Sequence, residues 1–199
     1  AILETSAPGI RGNIQETQQI AAETGVHIIA STGLYVGVSW PEEYTQISDE
    51  AFKDYLRKEL LSGIDDTTIR AGHIKAAIRS GEGDELKFFA ASAEISKELD
   101  VLLTAHTSRG TSPGNRRKML HLLLDAGIDP QKLLLCHMHF TFWQGDFVSY
   151  FRDPNSNRLD LSWAREVMDL GVHISIDCFG EQPGPWDTVR LTGLIELLN

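Results

Sequence analysis

Val101-Leu102-Leu103-Thr104-Ala105-His106 is a short apolar run that ends on one polar residue and follows a longer amphipathic stretch, Glu85 to Leu99. Runs of this length, rich in branched side chains, read as buried parallel strands, because both faces of such a strand are covered by helices. The same pattern recurs at Val26 to Ala30, Thr68 to Ala76, Leu133 to His137 and Val172 to Asp177, with a further strand expected at Ala1 to Glu4. Helical periodicity fills the intervals at Gln15 to Glu23, Asp49 to Ser62, Asn115 to Ala126, Ser162 to Leu170 and Trp186 to Leu198. Strand then helix, repeated, specifies an α/β fold. Gly25, Gly127 and Gly171 each follow a helical stretch and supply the left-handed residue that ends it.

A closed (β/α)8 barrel needs eight such units and about 250 residues, so 199 residues make an incomplete barrel, while a doubly wound sheet of six strands also fits the length. Two long connections, Gly33 to Ser48 and Met138 to Leu159, leave the C-terminal ends of strands. That is the end where α/β folds carry their ligand sites.

Composition narrows the function. With 18 Lys and Arg against 28 Asp and Glu, the net charge of −10 opposes a grip on phosphate backbones, which needs clustered basic surface; nucleic acid is not an expected partner. No apolar stretch approaches the roughly 20 residues that span a bilayer. Two cysteines, Cys136 and Cys178, are too few for a disulfide framework, so a reducing, cytoplasmic compartment is the simpler reading. The first residues lack an initiator Met and the layout of a signal peptide.

Four successive strands end on Lys75, His106, His137 and Asp177. Neighbouring parallel strands lie roughly 4.8 Å apart, so such side chains can converge on an ion held by bonds of about 2 Å. Lys75 is the informative residue. Burying a lysine is costly unless it is paired, deprotonated or modified, and a desolvated amine is a nucleophile toward a carbonyl, as a Schiff base, or toward carbon dioxide, as a carbamate. His73, two residues earlier on the same face, reads as a packed histidine, His27 and His173 as structural residues at strand starts, and His121 as solvated on a helix.

These residues, together with Thr24 to Tyr35, Gly63-Ile64-Asp65-Asp66-Thr67, Ile69 to Lys75, His106-Thr107, His137 and Asp177-Cys178-Phe179-Gly180, resemble the phosphotriesterase family of the amidohydrolase superfamily in order and spacing. The resemblance implies a (β/α)8 barrel of which this chain covers strands two to seven, as one domain, 1–199, truncated at both ends. It implies two divalent metals, zinc in most members, bridged by a carboxylated lysine and a hydroxide. Lys75 matches the bridging lysine, and His106 and His137 match the histidines that hold the second metal. The His-x-His pair and the aspartate that hold the first metal fall on strands this sequence does not contain. Asp177 matches a catalytic-pocket position on strand seven.

On the substrate side, Tyr35 matches an aromatic residue set against the substrate, and Cys178 stands where the lactonase branch carries an arginine. Strand alternation turns Cys178 away from Asp177, as a buried thiol. His139 follows His137 where relay residues are common, as a relay substitute or a loop cap, and Trp143, Phe142 and Phe147 are candidates to line an apolar lid. The resemblance implies a metal-dependent hydrolase of an ester, lactone or phosphoester, a small-molecule substrate, and a possible homodimer. Two alternatives stay open: a partial member that binds metal without turnover, and a barrel enzyme that uses Lys75 as a Schiff base.

Overall fold

The computed structural model describes residues 1–79, 83–107, 113–144, 158–180 and 187–199. The chain divides into two compact units, Ala1–Leu133 and Leu134–Asn199.

In the first unit, β1 (Ile2–Leu3) pairs in parallel with β2 (Ile28–Ile29), so the strand expected at the start of the chain is present. Between them runs α1 (Ile14–Thr24), whose first turn is closed by the Asn13 side chain accepting from the backbone N–H groups of Gln15 and Glu16. It ends at Gly25 with φ +68°, a conformation that costs glycine little. β3 (Ser31–Gly33), β4 (His73–Ile78) and β5 (Leu102–Thr107) form a parallel sheet. The helices α2 (Asp49–Leu61) and α3 (Gly83–Leu99) pack on it and on each other, and α4 (Pro113–Asp125) follows β5. In α2 the buried residues Phe52, Leu56 and Leu60 recur at intervals of four and so form one stripe. Full burial of each stabilises by roughly 1.5–3 kcal/mol.

The strands differ in extent from the sequence reading. β4 runs on to Ile78, because Ala76, Ala77 and Ile78 are as deeply buried as the residues before them. Lys75 is therefore the third residue of six and not the strand's end. Strand two continues past Ala30 as β3, which pairs with β4 instead of with β1. There the Leu34 N–H donates to the Lys75 carbonyl at 3.1 Å. Gly33, at φ +112°, approaches that carbonyl so closely that a Cβ would lie 2.0 Å from its oxygen, and only glycine can occupy the position.

The packed reading of His73 agrees with its burial: the ring has no exposed surface. Burial pushes its pKa from 6.5 down to about 4. Below pH 6.5 the unfolded chain binds a proton that the folded chain refuses, so stability falls as pH falls through this window. The expected loss is about 2 kcal/mol between pH 7 and pH 5. Denaturant unfolding at the two pH values measures it, and the His73→Phe variant is expected to lack this part of the slope. His27 and His173, by contrast, are exposed and hold no core together.

In the second unit, β6 (Leu133–Cys136) pairs in parallel with β9 (His173–Ile174) through Leu134 and Leu135. A short antiparallel ribbon joins β7 (Trp143–Gln144) to β8 (Arg158–Leu159). α5 (Ser162–Asp169) buries Trp163, Ala164 and Val167, and α6 (Asp187–Leu198) brings Gly193 against Phe142, where a Cβ would lie 2.5 Å from the ring. Both ends of the expected strand Val172 to Asp177 are irregular, so Asp177 follows β9 and does not end it. Among the described residues, no helix is long and apolar enough to cross a membrane.

Candidate active site

The candidate residues fall into two clusters, one in each unit. In the first, Lys75 on β4 is 4% exposed and His106 on β5 is 9% exposed. Lys75 stands in register with Thr104, and His106 with Ala77, so the histidine sits two residues further along its strand. Tyr35 lies on His106: its hydroxyl is 3.2 Å from Nε2, and the two rings meet edge to face with centroids 4.8 Å apart. Trp40 holds Tyr35 there by donating its indole N–H to the Tyr35 carbonyl at 2.7 Å, while its own ring packs on Phe88. Burial pushes the Tyr35 phenol above its ordinary pKa, against the opposing pull of Arg79, so it is a neutral donor or acceptor at pH 7. The aromatic residue expected at the substrate thus touches a candidate metal ligand directly.

The second cluster is built on the loops after β6 and β9. His137 leaves β6 with φ +62° and heads a 3-10 turn, Met138–Thr141. The Met138 N–H donates to the Ser175 carbonyl at 2.9 Å, which ties this turn to the loop that carries Asp177. The Asp177 carboxylate collects donors: His137 Nδ1 at 2.7 Å, the His137 backbone N–H at 3.3 Å, the Cys178 thiol at 3.1 Å and the Ser175 hydroxyl. Burial alone pushes this carboxyl up, but the hydrogen bonds from His137, Ser175 and Cys178 outweigh it and hold its pKa well below the usual carboxylate range. It is an anion at every physiological pH.

One expectation is corrected by this geometry. Cys178 does not point away from Asp177; it has φ +59°, so strand alternation no longer applies, and its Sγ turns back to the carboxylate and lies 3.8 Å from His137 Nδ1. The His139 ring is fully buried in the 3-10 turn, 4.2 Å from the Phe140 ring, and its Nδ1 lies 3.4 Å from the Asp177 backbone nitrogen. Trp143 opens the β7 ribbon and Phe142 is fully buried; Phe147 lies outside the described residues. Ser175 went unremarked in the sequence, although its spacing of two from Asp177 was a usable signal.

His137, Asp177 and Cys178 offer one ligand atom each within 4.8 Å of one another, a grouping that could hold a metal ion or be a hydrogen-bonded hub. It is not a cysteine-histidine-aspartate nucleophile relay. Such a relay places cysteine and aspartate on opposite ring nitrogens, and here both approach Nδ1.

Comparison with known proteins bears on both clusters. A family model described as the phosphotriesterase family matches residues 1–196. An N-acetyltaurine hydrolase of Danio rerio is 30% identical over 198 residues, which cover 97% of this chain and 54% of that protein. The human N-acetyltaurine hydrolase is 28% identical, over 92% of this chain and 48% of its own length. The chain thus spans about half the length of the curated relatives it matches. Among solved structures, the organophosphorus hydrolase from Deinococcus radiodurans superposes with a TM-score of 0.81 at 26% identity, over 98% of this chain and 56% of that one. The phosphotriesterase homology protein from Escherichia coli, solved with phosphate in its active site, gives 0.80 at 25% identity, over 98% and 62%. These neighbours are barrels of the (β/α)8 type, and the α/β fold of this chain is part of such a barrel.

Proposed function

Because the chain belongs to the phosphotriesterase family, we propose that it carries a large part of the active site of a metal-dependent hydrolase, with Lys75, His106 and His137 as metal ligands and a carbamate on Lys75. The observation that carries the reading is the burial of Lys75 in mid-strand, 4% exposed, one strand away from a histidine that is itself shielded by Tyr35.

Two imidazoles and a lysine carbamate are a donor set that suits one divalent cation of the zinc type, the second metal of the pair that the family resemblance implies. In this reading His106, whose Nε2 meets the Tyr35 hydroxyl, would hold the metal through Nδ1, and His137, whose Nδ1 meets Asp177, through Nε2. When bound, the metals supply Lewis-acid polarisation of the scissile carbonyl or phosphoryl group and a water acidic enough to attack at neutral pH. The chain's own side chains do the rest. With a metal on Nδ1, His106 donates from Nε2 to the Tyr35 oxygen, which fixes both rings, and the neutral phenol presents an aromatic edge to the substrate. Cys178, 3.8 Å from His137 Nδ1, His139 and Trp143 are the further residues that would shape the substrate side in this reading.

The substrate is a small molecule with a hydrolysable carbonyl or phosphoryl centre. The similar proteins named above act on an N-acyl amide and on organophosphorus compounds, and a further neighbour is described as a lactonase. The test is a hydrolysis screen of N-acetyltaurine, a lactone and a phosphotriester against the protein loaded with zinc, cobalt or manganese. Metal-dependent turnover of at least one is expected. Trapping of a substrate adduct on Lys75 by borohydride, without metal dependence, would instead select the Schiff-base reading.

A further inference from the structure

A cation shared by the three atoms of the His137, Asp177 and Cys178 grouping would keep nitrogen and oxygen ligands roughly 3.3 Å or more apart, given bonds of about 2.0–2.1 Å in a tetrahedral site. His137 Nδ1 and Asp177 Oδ1 are 2.7 Å apart, which is the distance of a charge-assisted hydrogen bond. A proton lies between these atoms, not a metal. Since an anionic carboxylate only accepts, that proton sits on Nδ1, and the neutral imidazole carries its lone pair on Nε2. The other donors to the carboxylate are local: the Cys178 thiol at 3.1 Å, the His137 backbone N–H at 3.3 Å and the Ser175 hydroxyl. Ser175 and Asp177 share one face of an extended segment, and the Ser175 N–H and C=O bond to Leu135 and Met138 on either side of His137. The carboxylate is thereby fixed relative to the backbone of the histidine it faces.

We propose that Asp177 is a positioning residue, held by Ser175 and Cys178, that locks His137 in the Nδ1–H tautomer and so selects Nε2 as its metal-binding nitrogen. The inference rests on the reading of His137 as a ligand. Four acceptor interactions also occupy the carboxylate, which keeps it from competing for the cation itself. Outer-shell partners of this kind typically contribute 10- to 100-fold in metal affinity. The left-handed conformation of Cys178, an uncommon one for this residue type, has its explanation here: it swings the thiol onto Asp177.

Zinc affinity of the protein, of Asp177→Asn and of His137→Ala is measured by competition with a chromophoric chelator, and the His137 tautomer is read from 15N chemical shifts of the metal-free protein. The expected result is Nδ1–H in the unmodified protein, a mixed tautomer in Asp177→Asn with affinity lower by about 10- to 100-fold, and a larger loss in His137→Ala. Nε2–H in the unmodified protein overturns the proposal without any variant having to fold. Unchanged affinity and tautomer in Asp177→Asn, with His137→Ala defective, overturns the positioning role and leaves the ligand reading standing. Unchanged affinity in His137→Ala overturns the ligand reading itself, and the inference with it.

Discussion

The Lys75→Ala variant is expected to lose hydrolysis by more than the roughly 100-fold that loss of an outer-shell partner costs, with metal binding reduced in parallel and stability nearly unchanged. The two halves of this result have one cause. Lys75 is buried in the middle of β4 and in register with Thr104 of β5, and in the proposed reading its amine carries the carbamate that holds metal. Removing the side chain deletes a ligand and, with it, a costly buried polar group. The lost packing of its methylenes is offset by the relief of desolvation, a trade common where function holds a residue that the fold alone would not choose. Steady-state kinetics on a hydrolysed substrate, with denaturant unfolding of the same preparations, measures both halves. A variant that keeps activity but unfolds easily would make Lys75 a structural residue.

The largest stability effect is expected far from this site, at Glu59. Arg11 and Glu59 form a two-pronged ion pair with contacts of 2.9 and 2.7 Å, and their side chains are only 8% and 3% exposed. Tyr55 donates to the same carboxylate at 2.8 Å, and Arg11 also donates to the Ser31 carbonyl on β3 at 2.9 Å. The pair therefore clamps the segment before α1, helix α2 and strand β3 together. Burial depresses the Arg11 guanidinium, but the bonds to Glu59 more than compensate and raise its pKa above the ordinary value. Glu59→Ala leaves a guanidinium buried with the carbonyl and an exposed Asp65 at 3.9 Å. The cost is about 3–5 kcal/mol, a large share of a typical domain's 5–15 kcal/mol. Replacing both partners, as Arg11→Met with Glu59→Leu, is expected to restore most of it, since no unpaired charge remains. Urea unfolding of the three variants checks this.

Periodicity placed the helices to within about two residues, because amphipathic stripes and left-handed glycines such as Gly25 are local signals. It also found the strands and the polar residues at their ends. What it missed depends on contacts that spacing does not encode. The extension of β4 past Lys75 follows from pairing with β5, and the ion pair of Arg11 with Glu59 joins residues 48 positions apart. At the site, Lys75, His106, His137 and Asp177 were legible as polar residues toward the C-terminal side of successive strands, although Lys75 lies in mid-strand and Asp177 beyond β9, and their family resemblance agrees with the match over 1–196. The turn of Cys178 toward Asp177 was not, because it depends on φ +59° just after β9, and alternation holds only while the chain stays extended. Ser175 was legible only through its spacing of two from Asp177, a signal that gains meaning once the carboxylate is known to need a donor.

Whether Lys75, His106 and His137 hold metal decides between a metal-dependent hydrolase and the Schiff-base alternative. Elemental analysis of the protein after exposure to zinc and removal of loosely bound ions tests this most directly, beside the Lys75→Ala, His106→Ala and His137→Ala variants. The prediction is stably bound zinc in the protein, about two ions where the binuclear site is complete, with a loss in each of the three variants. Absence of bound metal in the protein, or the same metal content in the protein and all three variants, would contradict it.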